Sequence, residues 1–436
     1  MRVRIEKLVF GGDGLARLPD GRVVFVPGVI PGEEVEIELV REHRDYAEAR
    51  VREILSPSPE RVTPPCPHYG VCGGCQFQHL SYPAQVRWKE EMLRETLERL
   101  GGIPGDLVEG VVPSPSPLRY RNRLRFHVES GTGRLGFVKR KSHDLVLIED
   151  CLLGEEPLGR VLAAFSGSAA WRRLQSWAKR VKLELSPAEG LVTVLFWITV
   201  EPDPEDVRDL ARELPGVKSV FFWTRGPRPR GPFPEEAPHR GRRLFPVPRS
   251  LFPGVEEPLY FARPGVFTQA NWEINLRIME YLRLRAGEVE RVLDLHAGMG
   301  NFLFPLASQA SEALGVDTDP GAIEDGLYTA EYLGLTPRVR LERITATEAL
   351  IETWKGAETY PLVLLDPPRG GCRELLRYLP EVARDRLIYI SCDPPTLARD
   401  LKLLLAAGYR PEVLMGFDMF PQTYHLEVVA LLRRHP

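Results

Sequence analysis

Near its carboxyl end the chain carries YISCDPPTLARD, which sets Cys392 at the end of an apolar run and follows it with an acid and two prolines. Proline suits the first turn of a helix, so Pro394 and Pro395 read as the start of PTLARDLKLLL. A thiol beside a helix N-terminus is a candidate nucleophile. Taken alone, a cysteine on an apolar strand is more often a small buried hydrophobe. Two other strand ends change that weighing. LLDPPRGG holds Asp366 at a rigid bend, because the residue before proline is turned away from helix, and DMFPQTYHLEVV puts Glu427 at the start of the last apolar run. A thiolate and a carboxylate base flanking one pocket suit methylation at a pyrimidine carbon, since C5 of uracil is not nucleophilic until C6 is attacked. Asp393 sits awkwardly in this scheme: an acid beside the thiol should raise its pKa unless the side chain points away.

Upstream, DLHAGMGN (Asp294–Asn301) follows an apolar strand and opens a helix, so its glycines allow a ligand to approach the backbone at a helix N-terminus. Asp317 ends the next strand, where it can accept hydrogen bonds from a ribose diol. Gly298 and Gly300 form only G-x-G and lack the third glycine of the dinucleotide fingerprint. That argues against NAD and for S-adenosylmethionine, which has no pyrophosphate to cradle.

The elements that must hold these groups alternate along the last third of the chain. Strands such as RVLDLHAG, EALGVD, YPLVLLDPP and RLIYISCDP are separated by helical stretches, which predicts a doubly wound, mostly parallel α/β domain over 253–436. Residues 1–56 alternate apolar and polar between GGDG, PDG and PGE turns and predict a five-stranded barrel of the OB kind. Residues 57–252 are expected to form a central, β-rich domain. It opens on a Pro/Gly-rich joint and a helix over Pro83–Leu100, and it ends in a Pro/Arg-rich tract that reads as a loop. With 43% apolar and 27% charged residues the chain is globular, and no run of 18 apolar residues occurs, so no membrane partner is expected.

Four cysteines lie apart from the reactive one. Cys66-x5-Cys72-x2-Cys75 with the distant Cys151 supplies the four thiolates that a zinc site or an iron–sulfur cluster needs, and the spacing alone allows both. Cys372 receives no role. The net charge of −3 gives no reason to expect a polyanionic partner, but a local cluster does. Between residues 119 and 141 lie eight bases, among them Arg119, Arg121, Arg123, Arg125, Lys139, Arg140 and Lys141, against one acid, Glu129. On a strand the four alternate arginines share a face that could grip phosphates beside a base-modifying site.

In combination, FTQAN (Phe267–Asn271), DLHAGMGN, LLDPPRGG, ISCDPPTLARD and DMFPQTYHLE resemble the S-adenosylmethionine-dependent RNA uracil-5 methyltransferases, in the expected order. PGVIPGEEVEIE and CPHYGVCGGCQFQHL resemble the subgroup with a TRAM barrel followed by a cysteine-bound iron–sulfur cluster. The resemblance implies that Cys392 adds to C6, that the enolate takes the methyl group, and that Glu427 removes the C5 proton. It implies that Gln269, His296, Asn301, Asp317 and Asp366 contact the cofactor, with Asp366 also near the base. Thr345 stands where an acid or amide often lies near the adenine. Cys66, Cys72, Cys75 and Cys151 would hold a [4Fe-4S] cluster. His296, Ala297 and Asp393 depart from the residues common at their positions.

The family's barrel-and-cluster subgroups modify 23S ribosomal RNA, whereas bacterial members acting on transfer RNA generally lack both, so 23S RNA is the implied substrate. A loop or bulge is the natural target, because the uracil must leave any helix. Transfer RNA is the alternative substrate, and a non-catalytic RNA-binding or assembly factor the alternative of another class. The intact Cys392, Glu427 and glycine loop argue against the latter. A cytoplasmic monomer is expected.

Overall fold

The computed structural model describes every residue except 141, 227 and 436. At the N-terminus, alternation in EVEIELVRE turns Val35 and Ile37 inward and the glutamates outward, and the same period recurs in the neighbouring strands. The result is a sheet of six strands, one more than the turns predict, because Arg2–Arg4 pairs separately against Glu34–Glu42. Its small core is almost entirely Val, Ile, Ala and Leu. Buried Glu33 accepts two hydrogen bonds from Arg61, at 2.6 and 2.7 Å, and so ties the barrel to the joint that follows.

The central domain is built on a seven-stranded sheet in which Arg123–Val128 pairs with Ala178–Ser186, then Leu191–Ile198, Val217–Trp223 and Arg230–Phe233. The last of these strands lies in the Pro/Arg-rich tract expected to be a loop; Phe233 packs its ring on Phe222 at 5.8 Å.

In the carboxyl-terminal domain an eight-stranded sheet runs in the order 339–342, 310–316, 289–294, 360–365, 383–391, 427–434, 409–417, 108–112. The first five strands are parallel, and 427–434 runs antiparallel to both its neighbours. After 289–294 the chain moves outward to 339–342, then returns to the other side of 289–294 with 360–365. This reversal opens a crevice at the carboxyl ends of those two strands.

The expected boundary at 252 does not describe this sheet. Val108–Val112 pairs in parallel with Tyr409–Phe417, and Leu93 and Leu97 from the preceding helix and Ile103 just after it join the same core. Tyr82–Thr96 and Val108–Val112 therefore pack with the carboxyl-terminal domain, because their apolar faces complete its edge. That helix ends in a π turn, Leu97–Gly101, closed by Gly102 at φ +66°. Among the described residues no helix is long and apolar enough to cross a membrane.

Candidate active site

The reversal of strand order brings the reactive motifs to one cavity of about 780 Å³, lined by Cys392, Glu427, Asp366, Arg369, Asp317 and the glycine loop. Gln269, His296, Gly298 and Asn301 line it as well, as do Arg123 and Arg125 from the central sheet and Arg121 just before it. Each side chain is aimed by local structure. Asp317 accepts the Gly298 N–H at 2.9 Å through one oxygen and the Asp319 N–H at 2.8 Å through the other, which fixes its carboxylate across from the loop. Gly298 adopts φ +54°, in the left-handed region that glycine occupies without strain. Asn301 exchanges a reciprocal amide pair with Asn275, both bonds at 2.9 Å. Asn122 holds the segment of Gln269 from the central domain: its amide donates to the Gln269 carbonyl at 2.8 Å and its N–H to the Ala270 carbonyl at 2.9 Å.

Asp393 is accounted for by the helix it precedes. Its carboxylate accepts the Thr396 N–H at 3.0 Å as the N-cap of Pro394–Ala406, so it is turned toward the helix end. The nearby acid that does act on the thiol is Glu427. Burial pushes Cys392 up to about 11, the Glu427 charge adds to this, and the Arg369 guanidinium pulls the other way. Burial also raises Glu427 well above the usual carboxylate range, reinforced by Asp366 and opposed by Arg369. Asp366 is raised to about 7 by burial and by Asp317. Arg369 thus bears on both members of the reactive pair. Sequence reasoning assigned it no role, although its place directly after Asp-Pro-Pro at a strand end was the available signal.

The cavity fits a cationic ligand. Asp317, Asp366 and Glu427 face it, and a positive centre among them would offset the cost that burial puts on the charges of Asp366 and Glu427. His296, pushed down to about 4 by burial, keeps a buried Nδ1 with no hydrogen-bond partner among the described residues, as a group awaiting a ligand would.

Some expected site residues lie elsewhere. Thr345 is not among the lining residues: its hydroxyl accepts the Glu348 N–H at 3.1 Å and caps the helix Ala346–Lys355 in a capping box. Gly300 is needed for packing, since a Cβ there would lie 2.2 Å from the Phe304 ring. Arg119 leaves the expected strand face, because the strand starts only at Arg123; with φ +54° it turns aside and pairs both guanidinium nitrogens with Asp150, at 2.9 and 2.5 Å. Arg140 pairs with Asp13 of the barrel at 3.0 Å and Lys139 with Asp144 at 3.3 Å, while Lys141 lies outside the described residues. Arg121 and Arg123 sit over aromatic rings, of Phe420 at 5.6 Å and of Phe267 at 4.8 Å. Phe267, 64% exposed, stands at the cavity mouth.

Cys66, Cys72, Cys75 and Cys151 line a neighbouring cavity of about 560 Å³, together with Arg121, Arg123 and Arg125. Burial and the proximity of the other thiols raise Cys72, Cys75 and Cys151, with Cys75 reaching about 12. Among the described residues no three His, Cys, Asp or Glu side chains close on a position that could hold a metal ion. The four thiols share a cavity without converging on one point.

The segment that leads to Glu427 is anchored from this side. The Gln76 and Phe77 N–H groups both donate to the Gln422 carbonyl at 2.9 Å. Lys89 and Asp418 form a fully buried ion pair at 2.6 Å, with Tyr82 donating to the same carboxylate at 3.0 Å.

Comparison with known proteins agrees with this geometry. Residues 255–435 match a family model described as tRNA (Uracil-5-)-methyltransferase, and residues 1–51 match the TRAM domain. The chain is 34% identical to a protein of Aquifex aeolicus named as an uncharacterized RNA methyltransferase, over 99% of this chain and 98% of that one. It is 33% identical to the 23S rRNA (uracil(1939)-C(5))-methyltransferase RlmD of Shewanella amazonensis, over 98% of this chain and 94% of the relative. Its fold is similar to that of the Pyrococcus abyssi tRNA (uracil-54, C5)-methyltransferase in complex with S-adenosyl-L-homocysteine. The TM-score is 0.72 at 24% identity, covering 99% of this chain and all of the other.

Proposed function

We propose that this chain, which belongs to the S-adenosylmethionine-dependent RNA uracil-5 methyltransferase family, methylates C5 of one uridine in a loop or bulge of 23S ribosomal RNA through a covalent adduct on Cys392. The observation that carries the mechanism is the meeting of Cys392, Glu427, Asp366 and Arg369 in one cavity with the glycine loop and Asp317. S-adenosylmethionine supplies an electrophilic methyl group there, with Asp317, His296, Asn301 and Gln269 as the residues that would hold it.

The thiol of Cys392 loses its proton to water, which leaves Glu427 free for a later step, and Arg369 favours the resulting thiolate. Sulfur bonds to C6 of uracil, and the former C5–C6 π pair becomes an enolate that is nucleophilic at C5. C5 would then bond to the methyl carbon as its bond to the sulfonium breaks, leaving a neutral thioether. Glu427 then takes the C5 proton, the C6–S bond breaks, and the double bond re-forms as Cys392 departs as a thiolate. Arg121, Arg123 and Arg125 line the cavity and are assigned to phosphates of the substrate.

The substrate assignment is supported by full-length similarity to relatives named for 23S rRNA and by the joint presence of the TRAM domain and the four cysteines. It is tested by methylation of 23S rRNA and of tRNA from a strain lacking the gene. Incorporation into 23S rRNA at a single uridine is expected. Incorporation into tRNA alone would replace the substrate and leave the chemistry standing. The enzyme is read as a cytoplasmic monomer.

For the four cysteines the proposal is a [4Fe-4S] cluster with a structural role, since methyl transfer consumes no electron. The support is that the four thiols line one cavity, the number that a cluster needs, and the resemblance of CPHYGVCGGCQFQHL to the cluster-bearing subgroup. Anaerobically purified protein should contain about four iron atoms per chain; stoichiometric zinc without iron is the opposite result.

A further inference from the structure

The face of the central sheet that carries Arg123 and Arg125 into the cavity continues beyond it. Two residues further along the same strand face is His127, paired with Arg180. Arg180 pairs in turn with Trp197, and Trp197 with Trp223, so one cross-strand row runs over four strands. The two indoles lie 6.1 Å apart with their planes 18° from parallel. Both are half-buried, while Arg125 and Arg180 are exposed. The Trp223 Nε1–H donates to the Gly226 carbonyl at 2.9 Å, which sets the plane of its ring.

Arg125 and Arg180 form no ion pair among the described residues, in a chain where acids outnumber bases 60 to 57. Burial and the charges of Arg180 and Arg125 push the His127 imidazole down, toward its neutral form. Two cations left together without acids make a poor surface for the free protein and a good one for a polyanion. Gly265, two residues before Phe267, passes beside Trp223, so the row adjoins the loop at the cavity mouth.

We infer that single-stranded RNA flanking the target uridine leaves the active-site cavity at Arg123 and Arg125 and crosses this row, with bases stacked on Trp197 and Trp223 and phosphates met by Arg125 and Arg180. Stacking faces combined with an electrostatic track are what unpaired strands require. A duplex, whose bases are already stacked, can use only the charges. The inference rests on the reading of RNA as substrate and extends it to the nucleotides beside the target.

The test is a titration of the full chain with fluorescently labelled oligouridylate, read by anisotropy, with an RNA duplex of equal length as competitor. Trp197→Ala and Trp223→Ala should each weaken oligouridylate binding by about tenfold. Arg180→Glu, at an exposed position, should weaken it and flatten its salt dependence. S-adenosylmethionine affinity should stay at the wild-type value in all three variants and the unfolding midpoint in Arg180→Glu, and the KM for RNA should rise. Wild-type oligouridylate affinity in all three variants overturns the inference, as does equal competition by duplex. If wild-type protein binds and methylates RNA while the variants are unaffected, only this track is lost; if wild-type protein binds no RNA, the substrate reading itself fails.

Discussion

Cys392→Ala is expected to lose at least about 10⁴-fold in turnover while still binding S-adenosylmethionine, because a covalent mechanism deprived of its nucleophile has no second route to a reactive C5. The sharper form of the result uses RNA with 5-fluorouridine at the target. Wild-type protein should add Cys392 to C6 and methylate C5, then stop, since fluorine cannot leave as a proton does. A denaturing gel should show a covalent protein–RNA band that depends on S-adenosylmethionine. The band should be absent in Cys392→Ala and unaffected by loss of Cys372, whose buried thiol packs 3.5 Å from the Tyr389 hydroxyl, away from the cavity lining. No band from wild-type protein that binds both substrates would remove Cys392 from the mechanism. The raised pKa of the free thiol does not argue against this role. Burial and Glu427 produce it, and a cation bound among Asp317, Asp366 and Glu427 offsets the second cause.

The reactive groups could be read from the sequence because each is a local feature at the end of an apolar strand, and a doubly wound sheet gathers strand ends by topology alone. Glycine at a left-handed turn and acid before proline mark such ends without reference to the rest of the chain. What escaped the reading depends on distant partners. Lys89 and Asp418 are separated by 329 positions and only in the fold become a sealed ion pair that anchors the segment leading to Glu427. Arg119 lies in a run of alternating arginines, yet Asp150 and a left-handed backbone draw it out of that pattern. Thr345 occupies a position suited to a cofactor contact but is used by its own helix, as Asp393 is by Pro394–Ala406. For a short polar residue just before a helix, capping competes with any ligand role, and this competition could be weighed before the structure is known. The edge strand Val108–Val112 illustrates the other difficulty: five residues with little alternation gain their place only from the open edge of a sheet formed some 300 residues later.

Glu427→Gln should separate the two halves of the reaction. The amide keeps the shape of the side chain but accepts no proton, so addition of Cys392 and methyl transfer proceed and the C5 proton remains. The C6–S bond then cannot break with restoration of the ring. Ordinary uridine RNA, without fluorine, should accumulate as a covalent complex, and multiple turnover should fall by about 10²–10⁴-fold. Adduct formation itself should not slow, because the substitution removes the charge that raises the Cys392 thiol. Stability gives a control that misfolding cannot imitate. An acid whose folded pKa lies above its unfolded value binds more protons in the native state, so its contribution falls as pH rises from the unfolded pKa toward the folded one. Glu427→Gln lacks this loss, and its unfolding midpoint at neutral pH should match or exceed that of the wild type. A variant that is equally stable, turns over near the wild-type rate and leaves no covalent complex would assign the proton to another base, with Asp366, raised to about 7, the next group in the cavity able to take it.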